Sequence, residues 1–150
     1  MTMDVFMGTR PLWAVLVSIL AALLILASRN KPNLREFWTI AAALVKIGIV
    51  YSMLPAILRG ETLSCRPLVL SPGIELFFRV DAAGMLFAAL ASALWLLTAI
   101  FSIGYMRSLH EENQTGYYAS FALCLSATMG IAFAGNLLTF FIFFEMLTLA

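Results

Sequence analysis

The sequence predicts an all-α integral membrane protein of about five membrane-spanning helices in a single transmembrane domain. Two observations carry that prediction. The chain is 63% hydrophobic and only 11% charged, whereas soluble domains run near 45–50% apolar and about 25% charged. Its apolar residues also fall in runs of near bilayer length, divided by short polar segments, and the mean hydropathy is +0.98. A soluble monomer of 150 residues cannot bury that much apolar surface.

The first predicted span covers residues 11–28. Pro11 to Ser28 is 18 residues without a charge, longer than the h-region of a signal peptide, and Asp4 spoils the basic n-region such a peptide carries. The run therefore reads as a retained transmembrane helix, with Pro11 suited to its first turn. A polar loop follows, Arg29 to Glu36. The second span, 37–58, contains Lys46, and Pro55 loosens its last turn. The connection from Arg59 to Val80 is rich in turn residues (Gly60, Pro67, Pro72, Gly73). Arg66 to Leu70 and Ile74 to Val80 read there as short extended pieces, with alternation too loose to define a strand.

The third span, 82–106, is rich in Ala and Gly, which let helices approach closely in lipid. Asp81 stands before it as an N-cap. A loop with His110, Glu111 and Glu112 leads to the fourth span, 117–134, opened by Tyr117 and Tyr118 as interfacial anchors. His110 there reads as a solvated loop residue. Gly135 and Asn136 turn the chain into the fifth span, 136–150, which is incomplete at Ala150.

With five spans, Arg10, Arg59, Arg66 and Arg79 share one side, and Arg29, Lys31, Arg35 and Arg107 share the other. The totals are equal. The cluster in the short 29–36 segment places that side in the cytoplasm and the N-terminus outside, because short loops report orientation best.

Several functions are excluded by composition. A net charge of +1 gives no electrostatic footprint for nucleic acid. Cys65 and Cys124 have no metal-ligand spacing, and one lies in a loop while the other lies in an apolar run, so both read as free thiols. With one histidine and no Cys/His cluster, neither a metal nor a haem site is expected. No cofactor is expected, and no phosphate loop or nucleophile triad appears.

Two ionisable residues remain inside apolar runs, Glu145 and Lys46. Each is the tenth residue of its predicted span, about 15 Å deep at 1.5 Å per residue, near the middle of a ~30 Å hydrocarbon core. Charges at that depth are costly and mark ion or proton paths. Desolvation and an approaching counter-charge can switch such groups between protonation states. Thr148, Ser126 and Thr128 are hydroxyls able to hold water near them. A structural reading stands beside the functional one. Glu145 can be a hydrogen-bonded structural carboxyl, and the Lys46 stem can snorkel to an interface.

Several motifs occur in order along the second half of the chain. Phe78-Arg79-Val80-Asp81-Ala82-Ala83-Gly84-Met85-Leu86-Phe87 comes first, followed by Leu94-Trp95-Leu96-Leu97-Thr98 and Ser102-Ile103-Gly104-Tyr105-Met106-Arg107. Tyr117-Tyr118, Ala134-Gly135-Asn136-Leu137-Leu138-Thr139 and Phe144-Glu145-Met146-Leu147-Thr148-Leu149 continue the series. This series resembles the antiporter-like membrane subunits of Mrp-type sodium/proton antiporters, nearest to those of the D type, and their relatives in respiratory complex I and membrane-bound hydrogenases. The resemblance covers residues 70–150 well and residues 1–69 in pattern.

The resemblance implies a fold of about fourteen helices built from two inverted five-helix repeats, of which this chain is the N-terminal fragment. It implies that Glu145 belongs to a proton path and pairs with a lysine on a later helix, with an N-terminus on the outer side of the cell inner (plasma) membrane. Partners would be other membrane subunits, including a chain that supplies the missing helices, with protons as cargo and Na+ as a further candidate. The competing expectation is a non-transporting scaffold, or a truncated product with no function alone.

Overall fold

The computed structural model describes residues 2–71, 74–109 and 113–150. The side chains of residues 2–7 and 70 lie outside that description, as do Pro72, Gly73, His110, Glu111 and Glu112, so the expectations for Asp4, the turn at 72–73 and the loop histidine are left there. The described residues form five helices, α1 (Thr2–Ala27), α2 (Pro32–Leu58), α3 (Ala82–Leu109), α4 (Gln114–Ala132) and α5 (Leu137–Leu149). Three of them, from Gly8, Pro32 and Ala82 onward, are long and apolar enough to cross a membrane. Of the other two, α5 is a shorter apolar helix and α4 carries a more polar first turn, Gln114-Thr115-Gly116.

Two helix starts differ from the sequence reading. Pro11 lies inside α1 rather than opening it, because residues 2–10 are also helical. Helix α2 begins at Pro32, with Pro in its first turn, where the missing N–H costs nothing. The segment read as a polar loop through Glu36 is therefore partly helix. Arg35 and Glu36 face inward, 5% and 6% exposed. Arg35 donates to Thr115 Oγ1 at 2.9 Å and to Gln114 Oε1, and Arg107 Nε donates to Glu36 Oε1 at 2.9 Å. These bonds gather the starts of α2 and α4 and the end of α3, and they offset part of the cost of burying the two charges, with Arg35 Nε left unpartnered among the described residues.

The all-α expectation is corrected by a β-hairpin, β1 (Leu63–Ser71) and β2 (Ile74–Val80). The strands pair antiparallel, Leu63 with Val80 and Cys65 with Phe78, with irregularities between Cys65 and Leu68 and between Val69 and Ser71. The far edge of β2 is stitched to the α4–α5 link. Arg79 N–H donates to Phe133 O and Gly135 N–H to Phe77 O, each at 2.7 Å. Edge groups that would template foreign pairing are thus consumed within the chain.

Helix α1 packs on α2 and α4, α2 on α3, and α4 on α5, while the hairpin rests on α1 and α5. The apolar interior forms two clusters. One, near the hairpin, includes Val15, Val50, Met85, Met129 and Phe143. The other, toward the opposite end, includes Ala21, Ala43, Trp95, Tyr118 and Ala122. Tyr118 is 1% exposed and its ring lies under the Arg35 guanidinium, so it is a core residue and not an interfacial anchor. Asp81 caps α3 as expected, accepting from Gly84 N–H at 2.7 Å, and Asn136 caps α5 by accepting from Thr139 N–H at 2.8 Å.

Candidate functional site

Lys46 is the fifteenth residue of the 27-residue α2, so the longer helix still leaves it at mid-length. On α2 it falls between Ala43, in one apolar cluster, and Val50, in the other. Ser18 on α1, Ser92 on α3 and Ser126 on α4 fall between the same two clusters on their own helices. All four are 0% exposed. Four helices thus each place one buried polar side chain between two apolar layers.

Two of the serines are spoken for locally. Ser126 Oγ donates to Val15 O of α1 at 3.0 Å, and Ser92 Oγ to Ala89 O at 3.0 Å. Among the described residues, Ser18 Oγ, Lys46 Nζ and Trp95 Nε1 are buried with no hydrogen-bond partner. The Lys46 ammonium instead stands over the Trp95 ring, 4.7 Å from its centroid. An aromatic face attracts a cation through its quadrupole, and the attraction grows when water is absent. The snorkelling reading of Lys46 is corrected, because the side chain ends inside the helix set and not at an interface. A tryptophan in the middle of an apolar helix carries no sequence sign that a cation will lie on it.

Glu145 occupies the ninth position of the 13-residue α5 and faces outward, exposed. Among the described residues it makes no hydrogen bond and no ion pair, and the structure does not join it to Lys46. Its inward neighbour Phe143 packs instead against Phe78 of the hairpin, with ring centroids 5.6 Å apart. Of the hydroxyls expected to hold water, Thr148 donates to Phe144 O at 2.7 Å and Thr128 to Cys124 O at 2.8 Å. Those two are the usual i−4 bonds of such groups inside a helix, whereas Ser126 reaches across to Val15 O of α1.

The site therefore divides in two. An enclosed cation sits at mid-length among α1–α4, and a carboxylate stands on the outer face of α5, where the described residues offer it no counter-charge. A carboxylate in an apolar helix can serve as a proton carrier when a cation approaches from outside. A lysine shut among helices can do so only when water, or a group already around it, reaches its amine.

No protein-family model matches the chain. Over 84 residues it is 31% identical to the A-type subunit of a Na(+)/H(+) antiporter from Alkalihalophilus pseudofirmus, a stretch that is 56% of this chain and 10% of that relative. Over 73 residues it is 29% identical to subunit 5 of an NAD(P)H-quinone oxidoreductase from Paulinella chromatophora, 49% of this chain and 11% of the relative. The fold is similar to a chain in the structure of an Mrp complex from a Dietzia species, with a TM-score of 0.77 and 20% identity. That match covers 99% of this chain and 26% of the Dietzia chain. The chain spans about a tenth of the length of the two sequence relatives. Its similarity is thus to antiporter and quinone-oxidoreductase membrane subunits, and its fold is one that an Mrp complex contains.

Proposed function

We propose that the chain is part of a proton-translocating membrane subunit of a multisubunit monovalent cation/proton antiporter, or of a related NADH-quinone oxidoreductase-like complex. The observation that carries this reading is the outward-facing carboxylate of Glu145 in an apolar helix, in a chain similar to antiporter subunits. A charge at that depth is costly unless a partner meets it. Further helices against the outer face of α5 would bring the opposing cation, and its approach or retreat would drive Glu145 between its ionised and protonated forms. Lys46 is the companion carrier within α1–α4.

In this reading all five helices span the plasma membrane and the N-terminus lies outside. The partners are other membrane subunits, among them the polypeptide segment that completes the helix set. The D-type version rests on the sequence motifs alone, since the antiporter relative described above is of the A type.

The test is Glu145→Gln in the assembled complex, reconstituted in sealed vesicles. Coupled proton movement is expected to vanish while complex yield stays near that of the parent. Undiminished transport overturns the assignment. A collapse in yield, with normal transport per assembled complex, identifies the chain as a scaffold instead.

A further inference from the structure

We propose that Lys46 and Trp95 form a self-contained proton-binding site within α1–α4, in which the indole takes the place of a carboxylate counter-ion. This deepens the companion role given to Lys46 above, yet it does not depend on Glu145 or on transport.

The surroundings of Lys46 define the site by what they contain. On the elements packed against it, the charged and titratable groups are few. Helix α1 offers Arg10, which donates to Ser52 O at 2.8 Å, well along α2 from Lys46. Helix α2 itself has Arg35 and Glu36, tied to α4 and to Arg107 of α3, and the exposed Tyr51. Helix α3 adds Tyr105, exposed and stacked on Phe101. Helix α4 adds Cys124, Tyr117, hydrogen-bonded with Ser102, and Tyr118, which is buried beneath Arg35 with its own hydroxyl unpartnered. Apart from Glu36, which Arg107 already holds, no carboxylate on these helices is among the residues whose side chains are described.

An ammonium in such a place is opposed by burial and favoured by the aromatic face. A neutral amine needs no counter-ion, and its lone pair can accept a hydrogen bond. The layer holds donors without partners, Trp95 Nε1–H and Ser18 Oγ–H. Trp95 therefore serves the charged state through its ring, while the neutral amine needs no counter-ion. Release breaks one Nζ–H bond and delivers the proton to water. Uptake restores it. No other atom changes its bonding, and a carboxylate is not required at either stage. Trp95 is a positioning residue in this scheme, and Lys46 carries the proton.

The chain has three tryptophans, Trp13, Trp38 and Trp95, so a Trp13→Phe/Trp38→Phe variant of the full chain in detergent micelles reports on Trp95 alone. A protonated amine against an indole quenches its emission, whereas a neutral amine quenches less. Emission is expected to rise with pH along a one-proton curve, across a range in which circular dichroism holds constant. Lys46→Met in the same background should remove that transition. Lys46→Arg, which keeps a cation on the ring and does not titrate, should likewise flatten the profile. A transition that survives in Lys46→Met, or a flat profile with Lys46 present, overturns the proposal. Neither outcome touches the Glu145 reading, which is decided by transport.

Discussion

The backbone N–H of Phe77 donates to the hydroxyl of Thr139 at 2.9 Å, joining the middle of a β-strand to the first turn of α5. The same threonine is 0% exposed and donates its own N–H to the Asn136 cap. Asn136 completes the joint by donating from Nδ2 to Glu75 O at 2.7 Å. Three bonds thereby fix where α5 begins and how it leaves the hairpin, which in turn fixes the direction in which Glu145 points.

Removing that hydroxyl leaves a buried N–H without an acceptor. Thr139→Val, which keeps the shape, should cost about 1–3 kcal/mol of stability. Amide exchange at Phe77 should speed up markedly while exchange in the middle of α2 is unchanged. Equal acceleration across the chain would mean that the bond supports the whole fold and not this joint.

Glycine at position 130 lets α5 approach α4. A Cβ built there would overlap the Phe143 ring, an aromatic that cannot simply swing aside while it packs on Phe78. Gly130→Ala should destabilise the α4–α5 pair by about 1–3 kcal/mol through overpacking. Thermal unfolding in detergent checks this, and Phe143→Leu added to Gly130→Ala should recover part of the loss. An unchanged midpoint for the single variant would place the two helices further apart than they are here.

Cys65 lies in β1, outside the helices, and burial pushes its thiol above the ordinary cysteine range. The thiolate is the nucleophile, so alkylation by iodoacetamide should need a higher pH in the folded chain than for free cysteine. Because the folded value lies above the unfolded one, the linked stabilisation is present below the ordinary cysteine range and is lost as pH rises through the folded value. Alkylation at the rate of free cysteine near neutral pH would show that the hairpin leaves Cys65 unshielded.

The helices were legible because a bilayer demands length and apolarity, and runs such as Pro11–Ser28 have both. Their ends were less so. Arg35 and Glu36 read as loop because a charged first turn looks like a polar connection until Thr115 and Arg107 arrive from distant parts of the chain. The hairpin was legible only as two extended pieces, 66–70 and 74–80, the second matching β2, and their pairing was hidden for a similar reason. Its β2 is held on one edge by β1 and on the other by residues 133–135, and neither partner shows in the weak alternation of Ile74–Val80.

Lys46 and Glu145 were visible as charges in apolar surroundings. Which way each faces was not, since α2 and α5 are apolar nearly all round and no periodicity marks a buried side. Trp95 was invisible as a functional residue, because aromatics are common in such helices and only the fold sets the Lys46 ammonium on its face. The polar layer was equally hidden, because Ser18, Ser92 and Ser126 are scattered singly through apolar sequence and meet only when the helices pack.

The stitched edge of β2 also imposes an order in time. As the chain leaves the ribosome, residues 63–80 emerge more than fifty positions before Phe133, Gly135 and Thr139. Until those arrive, Phe77 and Arg79 hold open hydrogen-bonding positions along one side of the strand, which only the α4–α5 link fills. Whenever the hairpin itself forms, its outer edge is completed only once α4 has been made and the chain has turned toward α5.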